Sequence, residues 1–280
     1  MISMTKVKNI LKRYAAILLC CFFLQLSSQN PFIENKGQFP KQVIAKVSIP
    51  SGSLFIEKNK LKFVFYSGKK LAEIHDLKTS EKTIKGHAYT VEFVESNKDV
   101  KVEFLEKSRY YENYFIGEKN SWAKKVRSYK VFFQKNIYKD IHAKYYVEGD
   151  KLKYDIIVDP NASVNKIKIK YTGVEKIKLI SNNLKIKTSV NTVTENQPYA
   201  YQKINGKEVQ VKCNYILKKN ILSFDFPEGY NKNYRLIIDP VLDFSTYSGS
   251  TTDNFGYTAT YDNLGFLYSG STSFGGGYPT

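Results

Sequence analysis

Cysteine is almost missing from this chain. Three occur in 280 residues, and Cys20 and Cys21 lie in an apolar leader, which leaves Cys213 alone beyond it. No intrachain disulfide can then staple the mature fold, so it must stand on an apolar core. Histidine is equally scarce: His75, His87 and His142 are far apart, none in an H-x-x-x-H spacing, so a zinc site has no support and no cofactor is expected. There is no G-x-S-x-G elbow and no glycine-rich phosphate loop leading into a helix. No run of five like charges and no nucleic-acid motif occurs, so a nucleic-acid partner is not expected. No long segment carries the 3.6-residue period of an amphipathic helix.

One apolar run stands out. "AAILLCCFFLQL" (Ala15 to Leu26) follows Lys6, Lys8, Lys12 and Arg13 and precedes Ser27 and Ser28. Basic, then apolar, then small residues spell a secretory signal peptide over residues 1–28. The run is shorter than the roughly 20 apolar residues of a membrane span, so none is expected after cleavage. A lipid on Cys20 or Cys21 would need a small residue before the cysteine, and Leu and Cys stand there instead. The product is expected to be secreted or displayed on the cell surface.

Charge is plentiful but spread out. Four of the 43 basic residues lie in the leader and three of the 26 acids in residues 242–280, which leaves 39 basic against 23 acidic between residues 29 and 241. Such a surplus suits a polyanionic partner such as a surface polysaccharide. The lysines nevertheless alternate with apolar residues, as in "NKIKIKY" and "NLKIKT", which makes them the wet face of strands.

Alternation of period two recurs throughout. Leu61, Phe63 and Phe65 share one face of "KLKFVFY"; Tyr89, Val91 and Phe93 share one in "AYTVEFVE"; Ile167, Ile169 and Tyr171 share one in "KIKIKY". Turn signals such as "PSGS", "INGK" and "PEGY" separate these runs. The expected fold class is all-β, with antiparallel hairpins in sandwich-like packing. "YDIIVDP" (Tyr154 to Pro160) is echoed by "YRLIIDP" (Tyr234 to Pro240), two strands expected to be buried on both faces and ended by Asp-Pro. The first echo marks an expected subdomain joint near 150–160, and the second closes a β-rich domain over residues 29–240.

Residues 241–280 break with what precedes them. From Leu242 on there is no Lys or Arg, and seven glycines fall in 39 residues. "YSGST" occurs at Tyr247 and again at Tyr268, and "FGYTATYDNLGFLYSG" between them reads as a hairpin with Phe255, Tyr257, Ala259 and Tyr261 on one face. Small residues at strand centres suit closely stacked sheets such as propeller blades. One blade cannot bury both its faces, so this segment reads as the opening of a repeat array.

This segment resembles the SBBP family of seven-bladed propeller repeats. Ser245, Thr246, Tyr247 and Gly249 fit the family's opening, and Asp253 with Gly256 its Asp-x-x-Gly pair. Asp262, Gly265, Tyr268, Gly270 and Thr272 fit the return, and Ser273, Pro279 and Thr280 the close, although "SFGGGYPT" has extra glycines and lacks the acidic residue. The region before it is similar to the uncharacterised N-terminal domain that precedes such repeats in secreted Bacteroidetes proteins. "FIENKGQFP", "NYFIG" with Trp122, "NIYKDI", "LKYDIIVDPNASVNKIKIKYTG", "NQPYAYQ" and "LIIDPVLDFSTY" carry that likeness, with Asn161 where the family commonly has glycine. The resemblance implies type IX secretion or surface display and supplies no catalytic residue.

Candidate chemistry is thin. Asp155, Asp159 and Asp239 sit near strand ends, where a glycosidase could place a carboxylate pair but where Asp also ends strands routinely. Asp253 and Asp262 lack the acidic density of a calcium loop. Cys213 falls on the apolar face of "VQVKCNYIL" and reads as an inert buried thiol. Trp122, Tyr110 and Tyr145 are the candidate interaction surface: adjacent rings in Tyr110–Tyr111 and Tyr145–Tyr146 must face opposite ways, so one of each pair is turned outward. The expected function is a non-enzymatic interaction or adhesion module; the alternative is a carbohydrate-binding or carbohydrate-active protein using further propeller blades.

Overall fold

The computed structural model describes residues 31–75, 83–148, 151–240, 242–244, 254–261 and 267–273. The leader with Cys20 and Cys21, the "DNLG" turn and the "SFGGGYPT" close lie outside or largely outside these residues. β1 (Phe32–Glu34), β2 (Ala45–Ile49), β3 (Gly52–Ile56) and β4 (Lys60–Tyr66) precede a short helix, α1 (Gly68–His75). β5 (Gly86–Phe93), β6 (Lys101–Tyr114), β7 (Ala123–Tyr138), β8 (Ile141–Glu148) and β9 (Lys151–Val158) follow. Next come β10 (Ile169–Thr172), β11 (Lys176–Ile180), β12 (Asn183–Lys187) and β13 (Thr192–Glu195). β14 (Tyr199–Ile204), β15 (Lys207–Val211), β16 (Asn214–Lys218), β17 (Ile221–Asp225) and β18 (Leu236–Asp239) lead to β19 (Leu242–Phe244), β20 (Asn254–Tyr261) and β21 (Leu267–Ser273).

The protein is nearly all β, and every strand pair is antiparallel. Fifteen strands form one sheet in the order β15-β14-β18-β9-β8-β7-β1-β2-β3-β4-β5-β10-β17-β16, with β6 added to β7. β11-β12-β13-β19 form a small second sheet, and β20 pairs with β21. β15 and β16 stand at opposite ends of the path, yet only Lys212 and Cys213 separate them in sequence. Three Cα steps reach at most about 11 Å, so the sheet folds over until its ends nearly meet. The ends do not pair, and the sheet is not a closed barrel.

β7 makes this fold-over workable. One of its edges pairs first with β1 (Ser128 and Tyr129 opposite Ile33 and Phe32) and then with β8 (Val131 opposite Tyr146). The partner changes between Tyr129 and Val131, and a register shift between Gln134 and Tyr138, with Asn136 at φ 56°, then bends the strand within its pairing with β8. The two flanks then share a single core. Phe63 stacks on Tyr89 at 4.9 Å on one flank, and Phe32, Phe132 and Tyr145 pack in series on the other. Each such side chain contributes about 1.5–3 kcal/mol by leaving water. Gln134, fully buried, ties the flanks together by donating to the Glu57 and Lys58 carbonyls at 2.8 and 2.9 Å.

The expected alternation is present where it was clearest. Leu61, Phe63, Phe65, Tyr89, Val91, Phe93, Ile167, Ile169 and Tyr171 are all buried, with the intervening lysines turned outward. The echoed strands become neighbours: β9 and β18 pair with Leu236 opposite Val158 and Ile237 opposite Ile157. Ile156, Val158, Leu236 and Ile238 face the core, whereas Ile157 and Ile237 are only half-buried, so the second face is less covered than the apolar trios imply. Asn161 stands at φ 63°, a left-handed position that Asn tolerates in place of glycine.

α1 is the departure from an all-strand reading. Ser67 starts it, its hydroxyl accepting from the Lys70 N–H at 3.3 Å and its carbonyl from the Leu71 N–H at 3.0 Å. At eight residues it is too short to show a helical period in sequence. No described helix is long and apolar enough to cross a membrane. The hairpin expected in the glycine-rich segment is present as β20–β21, with a register shift between Gly256 and Thr258.

Candidate functional site

Three groups of polar and aromatic side chains stand out, and only the third is largely exposed. The innermost is built around Glu195 at the end of β13, 2% exposed. Its Oε1 accepts from the hydroxyls of Tyr154 (2.5 Å, β9) and Tyr215 (2.8 Å, β16), and its Oε2 from Tyr171 (3.1 Å, β10). A buried carboxylate must be satisfied, and three donors from three strands do so. Burial raises the Glu195 carboxyl above its ordinary range, and the tyrosine bonds pull it only part of the way back. Burial and the Glu195 charge raise all three tyrosines, and Tyr89 beside them. A cavity of about 20 Å³ adjoins Glu195, Tyr89, Tyr154 and Tyr171, room for one water. This node joins both flanks of the large sheet to the small one. It was not anticipated, because a Glu closing "TVTE" looks like any solvated strand end; the only signal was inward-facing tyrosines, whose hydroxyls need partners.

The second group lies on the outer face of β8, β9, β18 and β14. The β9–β18 register, continued by one residue beyond Ile238 and Ile156, sets Asp155 opposite Asp239. Burial, and then the Asp239 charge, push the Asp155 carboxyl up to about 6; burial raises Asp239 as well. Tyr146 donates to Asp155 at 3.1 Å, and Lys153 lies 3.6 Å from Asp239 and 2.8 Å from Glu148. Asp239 Oδ1 is buried without a hydrogen-bond partner among the described residues. Asp159, the third acid singled out, stands apart from this pair. Burial tends to raise it, but His142 (2.9 Å) and Arg235 (2.8 Å) hold it below the usual carboxylate range. The Asn136 N–H donates to His142 Nδ1, so Nε2 carries the proton given to Asp159. His87 bonds the Gly173 carbonyl and Ser189. No group of three or more His, Cys, Asp or Glu among the described residues is placed to hold a metal ion. Cys213 is buried, and burial followed by the Asp225 charge pushes its thiol up to about 12.

The third group is exposed. Beyond Ser128, β7 pairs only with β6, so residues 109–127 form a two-stranded arm that leaves the sheet. Register shifts between Lys107 and Tyr111, and again between Glu112 and Tyr114, twist it. Tyr110 is 83% exposed, Ile116 67% and Phe115 58%, with Tyr111 beside them. Trp122 is half-buried, its ring edge-on to Phe115 at 4.8 Å and its Nε1 donating to the Gly117 carbonyl at 3.3 Å. The Arg127 guanidinium lies 5.2 Å over the Tyr111 ring. Phe39 packs edge-on against Tyr114 at 6.0 Å, and Lys36 donates to the Lys125 carbonyl at 2.9 Å. Arg109, Lys119, Lys124, Lys125 and Arg127 give the arm five cations against Glu112 and Glu118.

Of the candidate surface residues, the arm unites Tyr110 and Trp122 and leaves Tyr145 elsewhere. Tyr145 is 1% exposed, packed on Phe132 and donating to Gln134 at 3.1 Å, so it reaches no surface. Its neighbour Tyr146 is the ring turned outward. Tyr110 and Tyr111 do not divide into one packed and one exposed ring: both are exposed, where the register shift between Lys107 and Tyr111 interrupts the alternation, and the arm buries Ala123 and Val126 instead.

A family model described as a domain of unknown function (DUF7948) matches residues 32–241. No curated protein and no solved structure matches the chain.

Proposed function

We propose a function from one premise: the chain belongs to the DUF7948 family, whose description assigns no activity, so the chain's own surface must supply it. The domain is a non-enzymatic interaction module of a secreted or cell-surface protein, and it docks a protein partner through the β6–β7 arm. The observation that carries this is the exposure of Tyr110 on a two-stranded ribbon and of Phe115 and Ile116 in the connection at its tip. A two-stranded ribbon is marginal in water, and apolar rings held out on one gain stability only when covered. Tyr, Trp, Phe and Arg are also the residues that dominate protein interfaces. The β20–β21 hairpin is the first blade of an SBBP-like propeller, as the "STYSG" opening and "LYSGST" return suggest by resemblance. The leader sends the product outside the cell.

Site-specific photo-crosslinking in the producing cells tests the docking. A crosslinker at Tyr110 or Ile116 should give a defined adduct, lost when Phe115 is changed to Ser, while one at the exposed turn residue Lys219 should not. Adducts that are absent at the arm, or the same at Lys219, would overturn it.

A further inference from the structure

The turn at residues 163–167 separates two open clefts of about 340 Å³ each, and Asn165 lines both. Each is within the size range of small-molecule sites, and the two flank the turn with Asn165 between them, a bipartite groove. The turn itself is rigid. Val164 is buried, the Asn161 N–H donates to the Lys232 carbonyl at 2.9 Å, and the Ile167 N–H donates to the Val164 carbonyl at 2.9 Å. A site built on such a turn loses little freedom when it binds.

The lining has a specific chemistry. In the first cleft Phe226 and Tyr230 meet edge to face at 5.2 Å, and the Val164 backbone bonds the Tyr230 oxygen, which fixes that ring. The exposed side-chain amides of Asn161 and Asn165 have no protein partner among the described residues, so each offers donors and an acceptor together. Lysines outnumber carboxylates: Lys232 and Asp225 both line the first cleft, and Lys139, Lys166 and Lys168 line the second with Glu95. Lys168 pairs with Glu95 at 3.4 Å. Lys139, Lys166 and Lys232 have no carboxylate partner among the described residues.

We infer that this groove binds an anionic polysaccharide segment. The aromatic corner of Phe226 and Tyr230 takes an apolar sugar face, Asn161 and Asn165 take hydroxyls, and Lys139 and Lys166 take the carboxylate or sulfate of a neighbouring unit. A neutral glycan leaves the unpaired lysines without a role. A nucleic acid fits less well, because binding single strands relies on successive exposed rings for stacking, and this groove has one edge-to-face corner. The site is independent of the arm and of its protein partner.

The test is calorimetric titration of the whole chain with short oligogalacturonate and a chondroitin sulfate oligosaccharide, beside neutral cello-oligosaccharide and oligo-dT. Binding of one anionic glycan is expected, weakening with salt but persisting at about 0.15 M. The double change Lys139→Ala and Lys166→Ala should weaken it at least about tenfold, and Asn165→Ala should weaken it too. All three residues are exposed, and melting curves establish that the variants stay folded. Lys119→Ala with Lys124→Ala on the arm should leave binding unchanged. No binding of either anionic glycan, equal binding of the neutral one, preference for oligo-dT, or loss through the arm variant would each overturn the inference.

Discussion

Changing Glu195 and the tyrosines around it separates a buried tie from an incidental cluster. Tyr154→Phe removes a 2.5 Å hydrogen bond to Oε1 without opening a cavity. A hydrogen bond to a charged acceptor contributes about 1.5–3 kcal/mol, and the shortness of this one puts it in the upper half. Tyr215→Phe should cost less, because that hydroxyl is shared with the Asn196 carbonyl at 3.1 Å. Glu195→Gln keeps the shape: its oxygen can still accept from Tyr154 and Tyr215, and its amide can donate to Tyr171. With the buried charge gone, that variant should fall within about 1 kcal/mol of the parent. Glu195→Ala strands three hydroxyls at about 1–3 kcal/mol each, so it should cost at least about 3 kcal/mol. Urea unfolding at pH 7 reads all four. The raised Glu195 pKa adds a pH signature. The folded state takes up a proton more readily than the unfolded chain, so this stability is complete below the unfolded carboxyl value of about 4.3 and is lost as pH rises through the higher folded value. Glu195→Gln should lack that increment. An alanine variant no costlier than the glutamine one, or a Tyr154→Phe cost under about 0.5 kcal/mol, would refute the reasoning.

Three further outcomes are expected. Asp155, held up to about 6 by burial and by Asp239, should make the fold more stable as pH falls from about 6 to about 4, by at most about 3 kcal/mol. Asp239→Asn should flatten that slope in urea melts and stabilise the fold at pH 8 by up to about 1 kcal/mol, since like charges directly opposite on paired strands repel. The Cys213 thiol should resist an aromatic disulfide reagent in the native protein and react fully in denaturant; rapid native labelling would contradict its burial. A chain ended at Pro240 should unfold more easily than one ended after Phe244, by at least about 1.5–3 kcal/mol in urea titration, because β19 covers the edge of β13 and buries Leu242.

What could be read in advance follows from how local each signal was. The faces of β4, β5 and β10 were legible because period two is written into neighbouring residues: Phe63 and Phe65 cannot be buried without Lys62 and Val64 turning away. Pairing was not legible, because it joins distant segments. Nothing near Val211 says that β15 and β16 end up at opposite ends of a fourteen-strand path, and "VQVKCNYIL", expected as one strand, breaks at Lys212 and Cys213 to make that possible. Tyr145 shows how fine the margin is. Adjacent residues on a strand face opposite ways, so choosing Tyr145 over Tyr146 as the outward ring placed a core side chain on the surface. Glu195 escaped for the opposite reason: its partners at 154, 171 and 215 converge only when three strands have been placed. The arm was legible in part, since Tyr110 and Trp122 drew attention as aromatic residues. Only the pairing of residues 123–127 of β7 with β6 alone shows that they lie on an arm outside the large sheet's path. Exposure of those rings is therefore a property of topology rather than of composition, and the same holds for the groove at Asn165. There, residues 161–168 meet residues 225–232 on one side and residues 95–97 and 138–139 on the other, bringing unpaired lysines and free amides together. The lysines that alternation assigns to a wet strand face acquire a binding role only where the turn gathers them.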